Sequence, residues 1–208
     1  MVGFSGSGKS TLALWLLQRF PPPRVIIDPG NSAALDIAGF HTSSDPSGVS
    51  WGQARNVRFV PLDPQDQAAY AALYATLRAK VQGGVAAPAW PGVVVLADEA
   101  ETCLPASATG PGPALVFSGR KWPTGHITTA TRPRNISTST RANLSHAGIF
   151  PLWLEDDRKT LAGDLGVPLR VLEDAMGALP WPGHPVDGHE RGFLWWTSAN
   201  RSLQPVLC

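Results

Sequence analysis

Residues 3–10 read Gly-Phe-Ser-Gly-Ser-Gly-Lys-Ser, a full match to the spacing G-x-x-x-x-G-K-[S/T]. Few folds can hold such a loop. Its backbone must wrap an anion so that successive N–H groups point inward, and it must open a helix whose dipole adds positive potential at the same point. The apolar segment from Leu12 to Phe20 supplies that helix, and Pro21-Pro22-Pro23 ends it. Ser5, Gly6, Ser7 and Gly8 then line the cradle together with Lys9, Ser10 and Thr11. The Lys9 ammonium reaches the β- and γ-phosphates of ATP, and the Ser10 hydroxyl ligates Mg²⁺. The strand that feeds such a loop is normally central in its sheet, yet only Met1 and Val2 precede Gly3. Either that strand is stunted or the true start lies upstream.

The segment 93-VVVLADEAE-101 reads as a buried strand ending in two adjacent acids. Asp98 stands where a second ligand of the magnesium shell belongs. Glu99, one residue beyond, is aimed toward the γ-phosphate, where a carboxylate can orient and deprotonate an attacking water. Hydrolysis needs that second carboxylate, and nucleotide binding alone does not. Glu101 reads as a surface acid. No guanine-reading N-K-x-D is present, and a nucleoside kinase needs no such glutamate. An ATP hydrolase fits best.

The remaining pattern alternates strands with helices. Residues 24–28, 57–62 and 126–131 are β-branched runs, and an Ala-rich helix begins at Asp63 or Asp66 and continues to about Val81, with Tyr70, Leu73, Leu77 and Val81 on one face. Residues 31–55 look irregular. Short helices are predicted near 114–121 and 138–144, a strand at 147–154, and helices at about 156–164 and 168–178. The tail alternates around Asn200-Arg201 and reads as a hairpin. This predicts an α/β fold of the phosphate-loop NTPase type, RecA/ASCE-like: a three-layer sandwich on a mostly parallel central sheet, with a C-terminal β-hairpin. A chain of 208 residues predicts one ATPase domain over 1–208, its core at about 1–154 and its C-terminal helices and hairpin at about 155–208.

Charge is informative by position. The net charge is +1, which argues neither for nor against a polyanionic partner. From Thr102 to Leu154, however, there is no Asp or Glu, while Arg120, Lys121, Arg132, Arg134 and Arg141 fall inside, with His126 and His146. The segment predicts local positive potential suited to the phosphates of ATP or nucleic acid, unless low charge density alone produced it. Cys103 and Cys208 lie far apart and read as two free thiols in a reducing compartment. The apolar run Leu12–Leu17 is too short to span a bilayer and follows no basic region, so neither a signal peptide nor a transmembrane segment is predicted.

Taken in order, GFSGSGKST, VIIDP, VVVLADEAE, SGRKWPTGHITTATRPRNIS and TRANLSHAGIF resemble the FtsK–HerA superfamily of DNA-pumping ATPases. The small size resembles, within it, the genome-packaging ATPases of membrane-containing viruses with double-jelly-roll capsids. The resemblance spans about Val2 to Leu154. It implies that Lys9 and Ser10 belong to the phosphate loop, Asp98 to the magnesium site, and Glu99 to catalysis. It also implies ATP and Mg²⁺ as cofactors, a homo-oligomeric ring (a hexamer) around double-stranded DNA, and a capsid or membrane protein at a packaging vertex as partner. The expected location is the host cytoplasm or the virion. Two departures stand out. Where the family commonly has T-Q-R-P this chain has Ala130-Thr131-Arg132-Pro133, so Thr131 takes the place of a sensor glutamine. The segment Asn143–Phe150 also lacks the arginine some relatives carry, which leaves Arg120, then Arg132, Arg134 or Arg141, as a finger acting on a neighbour's nucleotide. The alternatives are a filamentous-phage assembly ATPase of the zonula-occludens-toxin type, a cellular HerA-like translocase, or an ATP-dependent switch that does not translocate.

Overall fold

The computed structural model describes residues 1–47, 56–85, 92–117, 121, 124–180, 186, 188–189 and 191–207. Five parallel strands form the larger sheet in the order β2-β3-β1-β4-β5: β1 is Arg24–Ile27, β2 His41–Ser43, β3 Asn56–Phe59, β4 Val93–Ala97 and β5 Thr124–Thr128. Every residue of β4 is buried, as befits a central parallel strand covered on both faces.

Strand alternation divides the core into two layers. Val25, Ile27, Val93 and Val95 face helix α2 (Gln67–Val85), where they meet Tyr70, Leu73, Tyr74, Leu77 and Val81. Ile26, Val94 and Leu96 face the opposite way, onto Ala13 and Leu17 of helix α1 (Lys9–Leu17). The helical spacing read from the sequence is therefore the buried face of α2. Asp66 caps that helix, its Oδ1 accepting from the N–H groups of Ala68 and Ala69 at 2.9 and 3.1 Å.

Further along lie α3 (Ala100–Cys103), α4 (Pro111–Phe117), α5 (Thr138–Arg141), β6 (His146–Ile149), α6 (Glu155–Leu165), α7 (Leu169–Gly177), β7 (Gly192–Thr197) and β8 (Leu203–Leu207). Strands β6, β7 and β8 form a separate antiparallel sheet. Its core joins Ile149, Leu194 and Trp196 to Leu161, Leu165, Leu172 and Met176 of α6 and α7.

The expected C-terminal hairpin is present, and it gains β6 as a third strand. Two further differences are local. Strand β2 arises in a stretch read as irregular, because a three-residue edge strand with no buried side chain carries no apolar pattern. Helix α4 opens at Pro111, three residues before its expected start, since proline is well suited to a first helical turn where its missing N–H is not needed. Among the described residues no helix is long and apolar enough to cross a membrane. Cys103 is buried and free, and burial pushes its thiol up to about 12. Cys208 and Arg120 lie outside the described residues.

The strand feeding the glycine loop is reduced to Val2. It makes single parallel bridges to Ala130, just past β5, and to Ile149 of β6. Val2 N–H donates to the Gly148 carbonyl at 3.0 Å and Phe150 N–H to the Val2 carbonyl at 2.8 Å. On the other flank, Gly3 N–H donates to the Ala130 carbonyl at 3.2 Å and Ala130 N–H to that of Met1 at 2.8 Å. The loop thus issues from the seam between the two sheets.

Candidate nucleotide-binding site

The glycines of the loop have separate reasons to be there. Gly6 and Gly8 adopt φ of 77° and 99°, a left-handed backbone that side chains disfavour. Gly3 is required by contact instead, since a Cβ there would collide with the Cβ of Phe150. Ser5, Gly6 and Thr11 are exposed at the loop surface, whereas Ser7 and Lys9 are buried. The Ser7 hydroxyl has no hydrogen-bond partner, an enclosed polar atom in a cradle built for an anion.

Lys9 Nζ donates to the Phe4 carbonyl at 2.7 Å, so the ammonium is held within its own loop. Burial lowers its pKa below the usual lysine range, against the opposing pull of Glu101, Asp98 and Glu99. Ser10 Oγ donates to Asp98 Oδ1 at 2.8 Å across 88 residues of sequence. Thr129, at the end of β5, donates its hydroxyl to the same oxygen, and Asp98 is buried. A hydroxyl and one carboxylate, side by side, suit Mg²⁺, which keeps most of its shell for phosphate oxygens and water. Among the described residues no group of three or more His, Cys, Asp or Glu that could hold a metal occurs.

Glu99 follows with φ 46°, a conformation that costs a non-glycine residue about 1–3 kcal/mol. Its N–H donates to Thr129 Oγ1 at 3.1 Å, so one threonine fixes both acids of the pair. The Glu99 carboxyl lies against Gly30, in the turn after β1. Desolvation, then the charges of Asp98, Glu101 and Asp28, raise its pKa above the ordinary glutamate value, with Lys9 opposing.

No family model matches the chain, and no curated protein matches it in sequence. Solved structures do. The genome-packaging NTPase B204 of Sulfolobus turreted icosahedral virus 2, in complex with AMPPCP, superposes with a TM-score of 0.71 at 14% identity, over 98% of this chain and 93% of that one. The same protein with ATP-gammaS gives identical figures. The N-terminal domain of zonular occludens toxin from Neisseria meningitidis follows at 0.51 and 13% identity, over 100% of this chain and 90% of that one. The chain has the B204 fold.

Within that fold, two residues near the site were not evident from sequence. Thr129 was hidden in a run of threonines, and only its place at the end of β5 brings it against Asp98. Glu101, expected at the surface, turns inward: its Oε1 accepts the N–H of Thr131 at 2.8 Å, and its Oε2 is enclosed without a partner. Thr131 itself is exposed, just past the strand, tied to α3 through that bond.

Three arginines of the acid-free segment, Arg132, Arg134 and Arg141, are paired. Arg132 Nε lies 3.3 Å from Asp157 Oδ2, Arg134 Nη1 lies 3.2 Å from Asp156 Oδ2, and Arg141 pairs with Asp164. All three acids belong to α6. The segment that carries no acid in sequence is therefore largely neutralised in space, which corrects the expected positive patch at these positions. Lys121 is exposed.

Proposed function

We propose that the chain is an ATPase that drives DNA translocation, and specifically that it packages viral double-stranded DNA into a preformed capsid. One observation carries the reading: Ser10 of the phosphate loop bonds Asp98 at 2.8 Å, with Glu99 set in strained backbone immediately beside it. That juxtaposition is the minimum a hydrolytic phosphate loop requires. Similarity to a packaging NTPase over 98% of the chain supports the packaging role.

In this mechanism the triphosphate displaces the Phe4 carbonyl from Lys9, and the ammonium turns to the β- and γ-phosphates. Ser10 and Asp98 would hold Mg²⁺, which supplies charge neutralisation on the phosphate oxygens. Glu99 accepts a proton from the attacking water, and its raised pKa makes it a stronger base than an ordinary glutamate. Thr131 reads the γ-phosphate from the end of β5, under the hold of Glu101. Arg120 reaches a neighbour's nucleotide in a ring, a hexamer of single-domain 1–208 subunits around the duplex. A capsid or membrane protein at the packaging vertex docks the ring, in the host cytoplasm or on the virion.

A second reading has its own observation. Because Arg132, Arg134 and Arg141 are each engaged by α6, a nucleotide-dependent switch with no hold on DNA is also consistent with the chain. Steady-state ATP hydrolysis with and without linear duplex DNA, at low and moderate salt, separates the two. A motor is expected to be stimulated by duplex, and less so as salt rises. Hydrolysis indifferent to DNA at every salt concentration would favour the switch.

A further inference from the structure

Glu101 stands two residues past Glu99, in the first turn of α3, and neither the magnesium pair nor the general base uses it. The stretch just beyond β5 is joined to that turn by three bonds. Glu99 N–H donates to Thr129 Oγ1 at 3.1 Å, and Ala100 N–H donates to the Thr129 carbonyl at 2.8 Å. The third bond runs the other way, from Thr131 N–H to Glu101 Oε1 at 2.8 Å. The N–H groups of Thr129 and Ala130 have backbone acceptors, the carbonyls of Ala97 and Met1. For Thr131 the acceptor is a side chain.

That acceptor is held at a cost. Glu101 Oε2 is enclosed with no hydrogen-bond partner, and a carboxylate oxygen kept from both water and donors is unfavourable. An acid placed for stability alone would have both oxygens wetted or paired. What the position gains is reach: the glutamate chain crosses from α3 to a backbone N–H 30 residues further on. A charged acceptor also makes that bond stronger than a neutral one would. Thr131 is exposed and opens the segment that leaves the sheet, where a small displacement takes a side chain out of range of a reacting group.

We propose that Glu101 is a positioning residue of the hydrolytic site, its carboxylate clasping the Thr131 N–H and so holding the segment past β5 across the Asp98–Glu99 pair. This rests on the hydrolase reading above, and the experiment keeps the two apart. Steady-state ATP hydrolysis is measured for the wild-type chain and for Glu101→Ala, Glu101→Gln and Glu101→Asp. Gln keeps the length and the acceptor oxygen without the charge, whereas Asp keeps the charge and loses the reach. Glu101→Ala is expected to lower kcat about tenfold with KM for ATP unchanged, the mark of an interaction that matters in the transition state alone. Glu101→Gln should recover most of that loss, and Glu101→Asp should not. Rescue by Asp in place of Gln overturns the assignment, because charge and not placement would then be the role. An unchanged kcat in Glu101→Ala overturns it too, as does a KM that rises in step with the fall in kcat, which would make Glu101 a prop for the phosphate cradle. Should Glu101→Ala fail to fold, the order of Gln and Asp decides alone. A wild-type chain that hydrolyses no ATP removes the hydrolase reading, and the positioning role with it.

Discussion

Arg58 Nη2 lies 2.7 Å from Asp28 Oδ2, with both side chains buried. Arg58 Nε donates to the same oxygen at 3.0 Å, and Nη2 also reaches Asn31 Oδ1 and the Ser32 carbonyl, each at 3.0 Å. The pair ties β3 to the turn after β1, the turn whose Gly30 lies against Glu99. Removing one member of such a pair strands the other charge, at a cost of about 3–5 kcal/mol, although replacing both by apolar groups is often neutral. Arg58→Leu should therefore lower the unfolding free energy by that amount, seen as a lower urea midpoint at unchanged slope. The double variant with Asp28→Leu should recover much of the loss. A single variant as stable as wild type would mean that water reaches Asp28.

Glu99→Gln keeps the size and removes the base. ATP affinity should hold while turnover falls by at least roughly 10²-fold. Unchanged hydrolysis would take Glu99 out of the mechanism. The same variant has a signature in stability. Since folding raises the Glu99 pKa, its contribution is fully present below the unfolded-state value and is lost as pH rises through the folded one. Gln does not titrate, so the variant should melt higher than wild type at neutral pH. That advantage should vanish at acid pH.

The two threonines past β5 should separate cleanly. Thr129→Val deprives Asp98 of a donor and the Glu99 N–H of its acceptor, so both Mg²⁺-dependent ATP affinity and turnover should drop, each by about tenfold for a lost buried bond. Thr131→Val keeps the backbone bond to Glu101 and should lower turnover alone. If Thr131→Val is silent and Thr129→Val is not, the sensor role moves two residues upstream.

His126 gives the acid limb of stability. Its ring stacks on Tyr74, its Nε2 is 3.3 Å from the Tyr74 hydroxyl, and its Nδ1 is enclosed without a partner. Burial lowers its pKa to about 4. The unfolded chain therefore binds the proton first, and stability declines as pH falls from about 6.5 toward 4. His126→Phe should flatten thermal stability over that interval, by an amount on the order of 2 kcal/mol. An equally steep decline in the variant would assign the acid limb to other groups.

What the sequence disclosed was local. The loop, the strand that ends in Asp98 and Glu99, and the buried face of α2 are each written within a few consecutive residues, where spacing alone determines direction. What it hid was long-range. Arg141 and Asp164 are separated by 23 residues, and no local pattern announces that α6 folds its acids back onto a basic segment. Strand β6 reads as one more parallel strand until β7 arrives from the tail and pairs with it antiparallel. Thr129 looked like any β-branched residue, since a threonine's role depends on what stands across from it. Glu101 was misjudged for the same reason: an acid after a strand end is ordinarily solvated, and only the return of Thr131 encloses it.

The one-residue strand at Val2 has a mechanical corollary. Among the described residues, the ladder bonds between the parallel sheet and the tail sheet pass through Met1, Val2 and Gly3, so Val2 is a rail that the two sheets share. Phe150, one residue past β6, sets its Cβ against Gly3, so the tail sheet shapes the start of the phosphate cradle from the side opposite Ala130. The first residues of the phosphate loop are thereby gripped from two sheets at once, although a single residue, Val2, is all the strand they have.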